Sequence, residues 1–234
     1  FYRRDEIRTK SFAANLDQIL ILIAAEPVFS ESQLARALIA AEAEGLKPLI
    51  ALNKSDLVEP FARAWERLLP YRHMGAGTHY GVLPFSLTLS SDVDRALLME
   101  HLAGKTTLVL GPSGSGKSTL INLLVPGATV LTGEISQALN SGKHTTTHAQ
   151  LYQLDADTQL IDSPGLQAFG LHHLERADLL HYFPDLRHLI GQCRFHNCTH
   201  RNEPNCAVKN AAESGDIAPH RLHFLQTITD ELSH

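Results

Sequence analysis

Lys117 and Ser118 close the octapeptide GPSGSGKS, which begins at Gly111 and fits the spacing G-x-x-x-x-G-K-[ST] in full. That spacing serves one kind of chemistry. The glycines let the backbone curl so that successive N–H groups converge on a phosphate. A helix beginning at the lysine points its positive end at the same group. Gly111, Pro112, Ser113, Gly114, Ser115, Gly116 and Thr119 then line a nucleotide's phosphates, Lys117 bridges the β- and γ-phosphates, and Ser118 ligates Mg²⁺.

Two further stretches narrow the nucleotide. DSPG, residues 162 to 165, follows an apolar run. There Asp162 can hold the Mg²⁺ shell, and Gly165 can offer its N–H to a γ-phosphate, which only a triphosphate carries. NKSD, residues 53 to 56, selects the base. A carboxylate only accepts hydrogen bonds and takes two at once. Guanine presents N1–H and N2–H₂ side by side, which matches Asp56. Adenine would face Asp56 with a lone pair where a donor is needed. Asn53 can bond the purine edge and pin a neighbouring loop, and the stem of Lys54 can lie along the flat base. Ser86, in PFSLT, falls where a further base-contacting loop is expected, although Leu87 replaces the usual alanine.

The base reader thus precedes the phosphate loop, and the γ-phosphate sensor comes last. The three must meet in space, not in sequence. A closed domain whose ends lie close together can be cut at one loop and rejoined at another without losing its packing. The order reads as a circularly permuted G domain.

The elements that must position these residues alternate. Leu16 to Ala25 reads as a strand buried on both faces. Ser30 and Gln33 have the spacing of a capping box, and Leu34, Ala37, Leu38 and Ala41 form one helical face that stops near Gly45. PLIAL (48–52), YGVLPFS (80–86) and TTLVLG (106–111) are further strands, with helices over 59–69, from Ser91 or Asp92 to Gly104, and after the phosphate loop. AQLYQL and TQLID make an antiparallel pair. Such alternation predicts a mainly parallel sheet covered by helices, with ligands at the carboxyl ends of the strands. That is an α/β fold over residues 1–172.

Past residue 172 the composition changes: histidines crowd the segment, together with all 3 cysteines of the chain. Residues 173–234 read as a small, mostly helical second domain organised by metal. Cys193, Cys198, His200 and Cys206 form C-x4-C-x-H-x5-C, a closed set of three thiolates and one imidazole suited to one structural Zn²⁺. His196 is a second candidate for the imidazole ligand. An odd cysteine number and no export signal argue against a disulfide.

GPSGSGKS, GKHTTTH, DSPG, the permuted order and the cysteine cluster together resemble the RsgA (YjeQ) family of bacterial GTPases for small ribosomal subunit biogenesis. The resemblance covers essentially the whole chain. It implies GTP hydrolysis, GTP and GDP as ligands, and the small subunit and its rRNA as partners. It also agrees with His200 as the zinc ligand. Family members carry an N-terminal OB-fold that binds RNA, and FYRRDEIRTK resembles the segment just after it.

Residues 127 to 147 have no clear period and read as a switch. One of Thr145, Thr146 and Thr147 is expected on Mg²⁺, with Thr146 preferred. Leu166 stands where many small GTPases place a water-orienting glutamine, so His144 becomes the candidate for that role, with Gln167 out of register.

Composition sets the bounds. With 234 residues, 44% hydrophobic and 19% charged, the chain has the make-up of a globular protein, and no apolar run is long enough to span a membrane. A cytoplasmic monomer is expected. The net charge of −5 gives no general pull towards nucleic acid. Arg3, Arg4, Arg8 and Lys10, and Arg194, Arg201 and Lys209, are local candidates for phosphate contact. Two functions fit: a GTP-hydrolysing switch in small-subunit maturation, and a guanine-nucleotide-dependent RNA or ribosome binder whose hydrolysis is incidental. NKSD argues against an ATP-using phosphotransferase.

Overall fold

The structure, a computed structural model, describes residues 2–4, 9–11, 13–74, 79–88, 91–125, 149–163 and 170–233. Strands β1 (Tyr2–Arg4) and β2 (Thr9–Ser11) pair antiparallel as a separate ribbon. The main sheet holds β3 (Gln18–Ala24), β4 (Lys47–Asn53), β5 (Gly81–Pro84), β6 (Thr106–Leu110), β7 (Gln150–Gln153) and β8 (Gln159–Asp162). Its spatial order is β5-β4-β3-β6-β8-β7, parallel except for the edge strand β7.

Strand β3 lies at the centre and is buried along its whole length. Side chains of a strand alternate between faces. Ile19, Ile21 and Ile23 enter one core with Leu34 and Leu38 of helix α1 (Glu31–Ala43). Leu20 and Leu22 enter the other, with Leu98 and Leu102 of α4 (Ser91–Leu102) and Leu120 and Ile121 of α5 (Lys117–Leu124). A continuous apolar run is what a strand covered on both faces requires. Helix α1 begins where its cap predicts: the Ser30 side chain accepts from the Gln33 N–H. Helices α2 (Val58–Arg67) and α3 (Leu69–Arg72) follow β4.

The C-terminal region has 3₁₀ segments over Arg176–Tyr182 and Arg187–Leu189, then helices α6 (Ala207–Ser214) and α7 (Pro219–Glu231). Its Leu179, Phe183, Val208, Leu225 and Ile228 join the same apolar cluster as α1. Ion pairs stitch that contact: Arg36 of α1 grips Glu231 of α7 through two hydrogen bonds of 2.9 and 2.5 Å, and Glu42 pairs with Arg187. Deeper, Arg221 and Asp185 form a bidentate pair at 2.8 and 2.7 Å, each 3% exposed. No helix among the described residues is long and apolar enough to cross a membrane.

Candidate functional site

Register brings the motifs to one edge of the sheet. Ala24 of β3 lies beside Asn53 of β4, Ile21 beside Leu110 of β6, and Val109 beside Asp162 of β8. These strands run parallel, so NKSD, the phosphate loop and DSPG leave the sheet on the same side. The side of the strands' carboxyl ends is where α/β sheets bind ligands.

Between β6 and α5 the loop passes through Gly114 and Gly116 at φ of 80° and 98° before the helix begins at Lys117. Gly116 has a specific reason to be glycine. A Cβ there would meet the Asn53 amide nitrogen at 2.4 Å. That nitrogen donates to the Ser115 carbonyl at 2.9 Å, while the Asn53 Oδ1 accepts from the N–H of Lys54 at 2.7 Å and of Leu87 at 3.2 Å. Asn53 is 3% exposed. One buried amide therefore ties the NKSD loop to the phosphate loop on one side and to the Ser86–Leu87 loop on the other. Lys54 takes a left-handed φ of 69°, which a non-glycine residue adopts only when its surroundings enforce it. Here Leu57 N–H bonds the Lys54 carbonyl at 3.0 Å, and Ser55 N–H bonds Phe85 at 3.1 Å.

The Asp56 carboxylate, the candidate base reader, is fixed as well. Ser86 Oγ donates to Asp56 Oδ1 at 2.6 Å, and the Ser86 N–H donates to Asp94 Oδ2 at 3.0 Å. Leu87 in the place of the usual alanine does not disturb this: its N–H is the one that reaches Asn53. Asp94 carried no signal in the sequence, because its role rests on the helix α4 start folding over the Ser86 loop.

At the phosphate end Lys117 pairs with Asp162, and both are largely buried, at 13% and 3% side-chain exposure. The Ser163 hydroxyl, fully buried, donates to the Val109 carbonyl at 2.9 Å and holds the start of DSPG against β6. Ser118 and Thr119 sit half-buried in the first turn of α5. Pro112 and Ser113 complete the loop. Ser118 and Asp162 have the oxygen donors that could hold a Mg²⁺ ion, and Lys117 is a cation that could meet a phosphate. His144, Thr145, Thr146, Thr147, Gly165, Leu166 and Gln167 lie outside the described residues.

A second constellation lies in the C-terminal region. The ligand atoms of Cys193, Cys198, His200 and Cys206 all fall within 4.8 Å of one another. His200 Nδ1 is 3.7 Å from Cys193 Sγ and 3.3 Å from Cys206 Sγ, and those two sulfurs are 3.9 Å apart. A tetrahedron with metal–sulfur bonds of about 2.3 Å has edges of about 3.8 Å. The set fits one tetrahedral thiophilic ion with no coordination position left over. His196 is not in the group. Burial pushes the Cys198 thiol up to about 12 and raises Cys206. A bound ion opposes that, because it ligates the thiolate. Burial also lowers His200, favouring the neutral imidazole that ligates.

The sequence did not reveal what shapes this loop. Glu203 accepts from the N–H and hydroxyl of Thr199, both at 2.6 Å, and from the N–H of Arg201 and Asn202 at 3.0 and 3.1 Å. These bonds, the Thr199 hydroxyl's first, hold its carboxyl at about 2, well below the usual 4.5. They close the turn in which His200 sits at a φ of 60°. Of the basic residues expected on phosphates, Arg201 is engaged with Asp230 and the Gln226 carbonyl, whereas Arg194 stacks over Phe195 at 5.6 Å.

A parallel sheet with a glycine-rich phosphate loop, whose base-reading loop comes from a strand earlier in the chain, defines a circularly permuted GTPase domain. The chain belongs to the RsgA GTPase family, whose model matches residues 1–172. Similar proteins named small ribosomal subunit biogenesis GTPase RsgA include that of Variovorax paradoxus, 67% identical over 239 residues that span 100% of this chain and 74% of the relative. Another, from Burkholderia pseudomallei, is 52% identical over 99% of this chain and 73% of the relative. Among solved structures, YjeQ from Thermotoga maritima aligns with a TM-score of 0.73 and 30% identity, covering 94% of this chain and 72% of that one. YloQ, described as a circularly permuted GTPase, aligns with a TM-score of 0.73 and 27% identity, covering 99% of this chain and 78% of that one. The enzyme class is that of a GTP hydrolase.

Proposed function

We propose that this protein hydrolyses GTP to GDP and phosphate as a maturation factor for the small ribosomal subunit, with the subunit and its rRNA stimulating the reaction. The observation that carries the nucleotide part is the Asn53 amide, bonded at once to Ser115 of the phosphate loop and to Leu87 beside Ser86. It makes base pocket and phosphate cradle one rigid unit. The ribosomal part rests on the relatives, whose names specify small ribosomal subunit biogenesis.

The roles follow from the donor set. Asp56 accepts from guanine N1–H and N2–H₂ while Ser86 holds its other lone pairs. The backbone of Gly111 to Gly116, with Ser118 and Thr119, cradles the phosphates, and Gly165 senses the γ-phosphate. Lys117 exchanges its contact with Asp162 for the phosphates. Ser118, Asp162 and Thr146 hold Mg²⁺, which when bound neutralises charge on the terminal phosphates. His144 orients the attacking water. Cys193, Cys198, His200 and Cys206 hold one structural Zn²⁺.

Residues 1–172 form the GTPase domain and 173–234 the metal-organised one; the extent of the family match supports that division. The protein acts as a cytoplasmic monomer. Sedimentation with purified small subunits tests the reading. Co-sedimentation with a non-hydrolysable GTP analogue, weaker with GDP, is expected. No binding in either state would refute the ribosomal role.

A further inference from the structure

The loop from Ala25 to Ser30 joins β3 to α1 on the sheet edge that carries the phosphate loop. We propose that Pro27, in the middle of this loop, is a positioning residue for nucleotide binding: its ring braces Gly114 in the conformation the phosphate loop requires.

Three observations carry this. The first is contact. A Cβ on Gly114 would lie 3.1 Å from Pro27 Cδ and 3.4 Å from Cγ, so the proline ring sits directly against this glycine. Other left-handed glycines, at 45, 104, 191 and 215, would meet nothing within 4 Å. They are open turn positions, whereas Gly114, itself exposed, has one specific neighbour on its Cβ side. The second is rigidity. The ring is closed on its own backbone and has no rotamer by which to swing aside. Its loop is also fixed at both ends. Ala25 N–H bonds the Asn53 carbonyl at 3.0 Å, and Ser30 caps α1. Phe29, 3% exposed, lies under the Arg67 guanidinium at 4.4 Å, and Arg67 also bonds the Phe29 carbonyl at 3.1 Å and Glu31 at 2.9 Å. The third is exposure. Pro27 is itself exposed, between exposed Glu26 and Val28, so core burial does not explain a rigid ring at this point.

The physical consequence concerns the N–H groups around Gly114. A phosphate cradle works by holding donors in place before the ligand arrives, and small displacements are costly. Gly114 at a φ of 80° is free to relax in many directions. Pro27 removes some of them. Because Ala25 is bonded to Asn53 in the base-reading strand, the brace also joins base pocket and phosphate loop by a route separate from the Asn53 side chain.

The inference rests on residues 111–118 being a phosphate cradle, and the test separates the two. The full chain, Pro27→Gly, Gly114→Ala and the double variant are compared for affinity to fluorescently labelled GDP and for thermal stability. Gly114→Ala should weaken binding roughly tenfold, from the left-handed backbone as well as the ring. Pro27→Gly alone should weaken it by about threefold with little change in melting, as expected for a lost positioning contact. The decisive result is the cycle: the double variant should bind GDP more tightly than Gly114→Ala, because the obstruction is gone. A Pro27 that does not touch Gly114 gives no such suppression, and a double variant as weak as or weaker than Gly114→Ala overturns the contact on which the brace rests; unchanged GDP affinity in Pro27→Gly overturns the brace itself. Should Gly114→Ala fail to fold, GDP dissociation from Pro27→Gly and Pro27→Ala decides. Faster release at unchanged melting supports the brace, and unchanged release overturns it. Failure of the unmodified chain to bind GDP would instead remove the cradle reading.

Discussion

The Asn53 amide donates to the Ser115 carbonyl across 2.9 Å although the residues are 62 positions apart in the chain. This bond explains why motif order is free. Parallel register sets Asn53 and the phosphate loop on one sheet edge, and a single buried side chain then locks them, whichever strand is synthesised first. In Asn53→Ala the Ser115 carbonyl and the Leu87 N–H lose their partner. A buried group left unpaired costs about 1–3 kcal/mol. GDP affinity should therefore fall by about tenfold or more, with a lower melting temperature. Nucleotide titration and thermal melting check both.

Base choice should follow Asp56. Asp56→Asn should shift preference towards xanthine nucleotides, because xanthine offers an acceptor where guanine offers a donor. Ser86→Ala removes a 2.6 Å bond to the Asp56 carboxylate. Hydrogen bonds to charged groups contribute about 1.5–3 kcal/mol, so GDP binding should weaken by about tenfold while ADP binding stays poor. Comparable affinity of the unmodified chain for ADP and GDP would sink the guanine reading.

The sheet was legible in the sequence because its centre is extreme. Gln18 to Ala24 is buried on both faces, so its apolar run is continuous, and Ser30 with Gln33 marks the next helix without ambiguity. Motifs fixed on strand ends were legible for the same reason. What the sequence hid depends on distant chain segments meeting. Nothing local tells that Asp94 holds the Ser86 N–H, that Lys117 pairs with Asp162, or that Arg36 of α1 grips Glu231. The 3₁₀ segments around Leu179 and Leu189 have no helical period to read, and their position comes from packing on α1. Among the candidate metal ligands, spacing ranked His200 ahead of His196, and it is His200 that lies with the three cysteines.

Metal removal should act on the C-terminal region first. Thiols that burial keeps protonated, Cys198 up to about 12, must lose protons to bind an ion. Metal affinity should therefore rise with pH through the neutral range. Chelation, or Cys198→Ser, should unfold 173–234 ahead of the sheet. Hydrogen exchange reports the order, and elemental analysis should find one zinc per chain. Freshly purified protein without zinc would refute the assignment.

Glu203 gives a pH signature of its own. Its carboxyl falls from 4.5 to about 2 on folding, through the donors of Thr199, Arg201 and Asn202. A depressed acid stabilises above its unfolded value and loses that contribution as pH drops through its folded value. Glu203→Gln should therefore melt at lower temperature than the unmodified chain at pH 6, and the gap should shrink from about pH 4.5 downward. The turn is solvent-accessible, so the effect is modest. A gap that does not vary with pH would show that the charge is irrelevant.

Hydrolysis itself should be slow in the isolated protein. The γ-phosphoryl transition state needs a water in line and its charge neutralised. Leu166 cannot orient water, and Lys117 must first leave Asp162, a largely buried partner, before it reaches phosphate. Single-turnover GTP hydrolysis should therefore accelerate on adding small ribosomal subunits. Lys117→Ala should abolish turnover by removing the phosphate cation. Asp162→Asn should separate two roles of its carboxylate. It frees Lys117 for phosphate, so GDP binding without Mg²⁺ should strengthen, yet it removes a magnesium-shell acceptor, so hydrolysis should fall by orders of magnitude. His144→Ala should slow hydrolysis and leave GDP affinity nearly intact, since GDP has no γ-phosphate for it to serve. If the full-length protein hydrolyses GTP equally fast with and without subunits, hydrolysis is incidental and the ribosome-stimulated switch is wrong.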